Sequence, residues 1–329
     1  MAFRYPEVAK HARAAIEDAP GAPAFRQLLV QLMARPGRVL APKGAIKWPA
    51  FVVDVCQALG GDPQAAAIAA AAVDFAVAAI DVADDLIDED WNAQLASSAR
   101  ATNASLALAW LADNCVHSLV PMLGADRAHA MGQALRRGSI SSCAGQDLDL
   151  LLEKAPDVTE EAALDVTQLK SGSLVAMACQ VGAAVATNDA RVLETAATFG
   201  RHLGVVAQLL NDIAGVLPDV AESSSDLRQR KKTLPVAFTL VCARQENLQP
   251  VLSWYGTDGA TGDLSAGQLA TAMHELGAIH FTWIVANEQR REALAALRQL
   301  AEIAGRPEAL RLRRLVPAVQ TRKPSPSAP

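Results

Sequence analysis

From Pro63 to about Asp90 the chain reads as one helical segment with an alanine-dense body and an acidic end. The run from Ala65 to Ile80 is apolar apart from Asp74, and Pro63 suits a first turn, where its missing N–H removes no helical bond. The same phase then carries Asp81, Asp84, Asp85 and Asp88, at offsets 0, 3, 4 and 7, onto one face. Like charges at these spacings repel, so the stripe calls for a compensating cation, and a divalent metal is the natural candidate. An acidic run is ordinarily a solvated face, but this one ends an apolar core segment.

Helical periodicity dominates the rest of the chain and alternating strand patterns are scarce, which predicts an all-α, single-domain bundle around a central cavity. At 329 residues and 51% hydrophobic content the chain can bury a large core without dividing. Helices are expected near 24–34, 48–59, 95–119, 126–153, 159–187, 189–216, 233–246, 265–304 and 306–315. The expected layout is an N-terminal segment over 1–20, the helical domain over 21–316 and a disordered tail over 317–329. A net charge of −5 with no basic stripe argues against nucleic acid. The alanine run is too short and too weakly apolar to span a bilayer, so no integral membrane segment is expected. The five scattered cysteines and the lack of an apolar leader predict a cytoplasmic protein with reduced thiols.

A second polar stripe lies downstream. Gln208, Asn211, Asp212, Gly215 and Asp219 fall at offsets 0, 3, 4, 7 and 11 within an apolar helical run. Two helices that face each other with these stripes would converge oxygen ligands suited to Mg²⁺. Positive charge comes from Lys170, at the start of an apolar helix, and from a basic loop with Arg228, Arg230, Lys231 and Lys232. Carboxylates, metal and lysines around an apolar cavity would grip a diphosphate and bury a hydrocarbon tail. A buried structural pair for Asn211 and Asp212, and solvated positions for Lys170 and Lys231, are the ordinary alternatives. No GxSxG, P-loop or strand-preceded GxGxxG is present.

Several of these segments, in order, resemble the signatures of the all-helical trans-isoprenyl diphosphate synthase (polyprenyl synthetase) superfamily. They are Leu59-Gly-Gly-Asp-Pro63, Asp74, the DDxxD run Asp84 to Asp88, Gly145-Gln146-Asp147-Leu148, Lys170-Ser171-Gly172, Gln208 with Asn211-Asp212, and Lys231-Lys232-Thr233-Leu234-Pro235. The resemblance implies Asp84, Asp85 and Asp88 as catalytic metal ligands, with Asn211, Asp212 and Asp219 on the other wall. It also implies Lys170, Gln208, Arg230 and Lys231 on the diphosphate, three Mg²⁺ ions with the bound substrate, and a homodimer. Phe75, Val77, Ala78 and Ala79 are expected to line the hydrocarbon cavity; small Ala78 and Ala79 imply room for a farnesyl or geranylgeranyl chain, with ordinary alanine packing as the alternative.

Departures from the pattern bear on the reaction. Elongating members carry Gly-Gly-Lys-x-x-Arg-Pro where this chain has Lys43-Gly-Ala-Ile-Lys47-Trp48-Pro49, and an arginine pair after DDxxD where no basic residue precedes Arg100. Asn211-Asp212-x-x-Gly215-x-x-x-Asp219 looks closer to the metal triad of class I terpene synthases, although Pro218 should kink or end the helix just before Asp219. The leading expectation is therefore Mg²⁺-dependent ionisation of an allylic isoprenyl diphosphate with terpene-synthase-type closure. Prenyl transfer, as chain elongation or to a non-diphosphate acceptor, and a non-catalytic partner subunit are the alternatives.

Overall fold

The computed structural model describes residues 6–41, 48–155, 157–217, 219–256 and 264–319, and among them every regular element is helical. In chain order α1 is Pro6–Glu17, α2 Pro23–Met33, α3 Trp48–Ala58, α4 Pro63–Ile87, α5 Ser98–His117, α6 Val120–Leu123 and α7 Ala125–Lys154. Then come α8 Glu160–Thr167, a π-helical turn at Gln168–Gly172, α9 Ser173–Ala186 and α10 Ala190–Gly215. The remainder comprises α11 Ser225–Arg228, α12 Leu234–Gln245, α13 Gln249–Trp254, α14 Ala266–Glu275, α15 Ala278–Ile303 and a closing 3₁₀ segment, Pro307–Leu315.

Helix α4 is the axis of the bundle. Asp62 caps it by accepting from the Ala65 N–H at 2.7 Å, Pro63 fills the first turn, and nearly every residue from Ala65 to Ala79 is buried. Alanine side chains are short, so α1, α3, α5, α7 and α9 all pack directly on this helix. A smaller apolar cluster joins α12, α13 and α14 to the start of α15, and a third ties α8 to α10 and α12.

The segment expected as a bare N-terminal stretch is partly a helix, α1, whose Val8, Ala12 and Ile16 enter the main core. The single helix expected over 265–304 is two, because Gly277 takes the left-handed conformation, φ 84°, that ends α14 and starts α15. Helix α10 stops at Gly215, so Asp219 does not continue its polar face. The alanine run expected to be too short and too weakly apolar for a bilayer belongs to a 25-residue helix, and by length and composition α4, Ser98–Leu123 and Glu160–Ala186 could each cross a membrane. For α4 that content is spent on the protein core, since 83% of its apolar window is buried inside the protein. Lys43, Lys47, Pro218 and the tail from 320 lie outside the described residues.

The turn after α2 is fastened to α4 by charge. Arg38, 5% exposed, pairs with Asp74 at 3.1 Å and with Asp81, and the Val39 N–H donates to Asp74 at 2.8 Å. Burial pushes the Asp74 carboxyl up from its ordinary value, against the pull of Arg38. An acid whose folded value is raised opposes folding as pH rises through it, and removing Arg38 deepens that opposition. Arg38→Met should therefore cost about 3–5 kcal/mol at pH 8 and less at pH 5, where Asp74 can take up a proton. Urea unfolding at the two pH values checks both the loss and its sign.

Candidate active site

Each carboxylate of the α4 stripe meets a basic side chain from elsewhere in the fold. Asp81 meets Arg38, Asp84 meets Lys170 at 3.4 Å, Asp85 meets Arg35 at 2.5 Å, and Asp88, the residue closing α4, meets Lys231 at 2.5 Å. Arg35 also lies over the Trp91 ring, 5.8 Å from its centroid. Gln229 crosses from the loop before α12 to donate to Asp90 at 2.9 Å. The expected stripe is thus formed, with its counter-charges supplied by protein groups.

The placement of Lys170 follows from local backbone structure. The π-helical turn interrupts what would otherwise be one helix from Glu160 to Ala186 and offsets Lys170 from the α8 register. On α7, Gly145 lets this turn approach so closely that a Cβ there would lie 2.5 Å from the Lys170 backbone N. Lys170 donates to Gln146 Oε1 and reaches Asp149 at 3.6 Å, while Gln146 Nε2 donates to Asp88 at 3.2 Å. Burial raises the carboxyls of both Asp84 and Asp149 above the ordinary range; Lys170 pulls each back, joined at Asp149 by Lys231.

The opposing wall comes from α10. Gln208 Nε2 donates to Asp212 at 2.7 Å and its Oε1 accepts from the Ser171 hydroxyl at 3.0 Å. Asp212 is buried, Asn211 is exposed, and Asp219 lies exposed beyond the helix end. A polar cavity of about 110 Å³ is lined by Asp149, Lys170, Ser171, Gln208, Asp212 and Lys231, together with Lys232 and Thr233. Arg230, at a left-handed φ of 57°, is not part of that lining.

A larger, mainly apolar cavity of about 370 Å³ lies between α4, α5 and α7, with Asp84 and Gln146 at its polar end. Ala79 lines it with Ala76, Ile80, Ala83, Leu106 and Leu135, whereas Phe75, Val77 and Ala78 are buried on other faces of α4 in the core. The two cavities flank the Lys170–Asp84–Gln146 contact.

Sequence reasoning named neither Asp149 nor Arg35 and Arg38. Asp149 was within reach, since it follows Gln146 by one helical turn. The arginines stand in a turn without helical phase, so no spacing rule points them toward α4. Among the described residues no three His, Cys, Asp or Glu groups form a cluster able to hold a metal by itself. Oxygen-only donors beside fixed lysines nevertheless fit Mg²⁺, which takes one or two protein carboxylates and completes its shell with phosphate and water.

The family described as polyprenyl synthetase matches residues 30–266. The (2E,6E)-farnesyl diphosphate synthase of Mycobacterium tuberculosis is 34% identical over 201 residues, covering 58% of this chain and 55% of the relative. The chain thus spans about half the length of the farnesyl synthases it matches. A geranylgeranyl diphosphate synthase of the same organism is 28% identical over 267 residues, covering 75% of this chain and 73% of its own. A solved polyprenyl synthetase from Streptomyces coelicolor superposes with a TM-score of 0.80 at 26% identity, covering 94% of this chain and 96% of that one. A geranylgeranyl pyrophosphate synthetase from Pyrococcus horikoshii, at TM-score 0.78 and 22% identity over 94% of each chain, shares the fold.

Two glycines of α7 separate close packing from helix propensity. Gly145→Ala should cost about 1–3 kcal/mol, because its Cβ meets backbone. Gly132→Ala meets only the Arg136 guanidinium, which can shift at the expense of an exposed pair with Asp113, and should be neutral or stabilise by up to about 1 kcal/mol. Thermal or urea unfolding of the pair distinguishes them.

Proposed function

This chain belongs to the polyprenyl synthetase family, and on that premise we propose that it is a prenyltransferase, an isoprenyl diphosphate synthase that extends an allylic isoprenyl diphosphate. The observation that carries the reading is the row of acid–base pairs at the end of α4, Asp84 with Lys170, Asp85 with Arg35, and Asp88 with Lys231, of which Asp84 lines the apolar cavity and the two lysines line the polar one. The hydrocarbon tail fits the apolar cavity beside Ala79 and Ala83, and the diphosphate fits the polar cavity. Asp84, Asp85 and Asp88 would hold Mg²⁺ on one side, with Asp149 and Asp212 facing them and Asn211 at the edge. When bound, the metal neutralises negative charge that develops on the departing diphosphate.

Lys170 and Lys231 are placed to move from carboxylate to diphosphate oxygens, so that their ammonium groups meet the charge as the allylic carbon–oxygen bond breaks. The electron pair leaves with the diphosphate. The allylic carbon then bonds to the double bond of the acceptor, which sheds a proton. The Ser171, Gln208 and Asp212 hydrogen bonds orient the wall opposite.

This reading replaces ring closure as the leading one. The relatives are diphosphate synthases, and Arg35 supplies the acidic wall with a guanidinium that a count of the motif arginines misses. Internal closure stays as the second reading, supported by Trp48 in the arginine position and by the lack of any basic residue from Glu89 to Ala99. The exposed apolar side chains Leu106 and Trp110 of α5 and Ile140 of α7 support a homodimer closing on that face.

Incubated with Mg²⁺, farnesyl diphosphate and isopentenyl diphosphate, the protein should release pyrophosphate and form a longer diphosphate that yields its alcohol only after phosphatase. Asp84→Asn should lower the rate about 100-fold or more. Hydrocarbon or alcohol products without isopentenyl diphosphate would establish ring closure instead. No pyrophosphate from geranyl, farnesyl or geranylgeranyl diphosphate would establish the partner-subunit reading.

A further inference from the structure

One buried hydroxyl at the polar cavity has no structural use. Thr233 is the residue preceding α12, with an extended backbone at φ −62° and ψ 167°, yet its side chain does not cap that helix. Asp62, Ser97, Thr159, Asp189 and Ser265, in the same position before their helices, all accept from a first-turn N–H. The Thr233 hydroxyl oxygen is buried and, among the described residues, makes no hydrogen bond. A buried hydroxyl left unpaired costs about 1–3 kcal/mol, a cost that valine of the same shape avoids.

The surroundings show what would satisfy it. Thr233 lines the polar cavity with Lys170, Ser171, Gln208, Asp212 and Lys231. Its carbonyl accepts from the Ala237 N–H at 2.8 Å, and the side-chain ammonium of the neighbouring Lys232 donates to the Ala155 carbonyl. The Thr233 backbone is therefore held at the cavity before any ligand arrives, with three ammonium groups, Lys170, Lys231 and Lys232, and the carboxylates of Asp149 and Asp212 in the same lining. A ligand matching those groups carries several acceptor oxygens and negative charge.

We propose that Thr233 is a substrate-binding residue whose hydroxyl donates a hydrogen bond to an oxygen of the diphosphate group. The proposal rests on the diphosphate site described above and adds a donor that charge alone would not supply. Lysines recognise the charge of the group, whereas a hydroxyl on a tied backbone recognises the position of one oxygen.

The test uses inorganic pyrophosphate with Mg²⁺ as the probe, with thermal denaturation and calorimetric titration of wild type, Thr233→Val and Thr233→Ser. Thr233→Val should melt at or above the wild-type temperature without ligand, because the unpaired group is gone. Its pyrophosphate affinity should fall about tenfold or more, the loss of a hydrogen bond to a charged acceptor. Thr233→Ser should stay within a few-fold of wild type. Wild-type affinity in Thr233→Val, or a lower melting temperature of that variant without ligand, would overturn the proposal in favour of a structural hydroxyl. If wild type itself fails to bind pyrophosphate, the diphosphate site falls, and the role of Thr233 falls with it.

Discussion

The fold turns on the fact that four carboxylates on one face of α4, at the rim of an apolar core, cannot stand without counter-charge. They are met from three directions: Asp81 and Asp85 by Arg38 and Arg35 of the turn after α2, Asp84 by Lys170 of the π-helical turn, and Asp88 by Lys231 before α12. For mostly buried pairs the cost of desolvating the charges offsets much of their attraction, so stability alone does not account for gathering them. What they do is hold three separate backbone segments around one end of α4. The stripe organises the site by attraction, and the site inherits cations already in position.

The remaining geometry serves the same end. Alanine along α4 and glycine at position 145 of α7 bring helices close enough for Lys170 to reach Asp84 and Asp149 from a neighbouring element. Gln146 joins Lys170 to Asp88, so that both ends of the acidic motif are coupled through one amide. On the facing wall, Gln208 couples Ser171 to Asp212 in the same manner. A ligand that takes Lys170 and Lys231 would free Asp84 and Asp88 together, which is the exchange that Mg²⁺ and a diphosphate entering as a unit require.

Helical phase made α4 and its stripe readable from sequence, and Pro63 marked its start. The same rule reached Asp212 on α10 but overran to Asp219, because the helix ends at Gly215. It also misplaced most of the cavity wall. Facing the cavity are Ala76, Ala79, Ile80, Ala83 and Ile87, which share a face at offsets 0, 3, 4, 7 and 11 from Ala76, whereas Phe75, Val77 and Ala78 point elsewhere. That face was derivable from Asp84, its polar neighbour on the helix. Arg35 and Arg38 were not derivable, since a turn has no period, and counting arginines only at motif positions made the acidic wall look barer of cations than it is. The missing motif arginines favoured the ring-closure reading, whereas the relatives are diphosphate synthases, which favours prenyl transfer.

The central claim is that the carboxylates of α4 are neutralised internally until a diphosphate draws the lysines away. Mn²⁺ binding, followed by electron paramagnetic resonance with and without inorganic pyrophosphate, tests it directly. The account predicts weak binding of Mn²⁺ alone and an affinity at least about tenfold higher with pyrophosphate, the size of an ordinary coupling between two sites. Equal Mn²⁺ affinity in the presence and absence of pyrophosphate would contradict it.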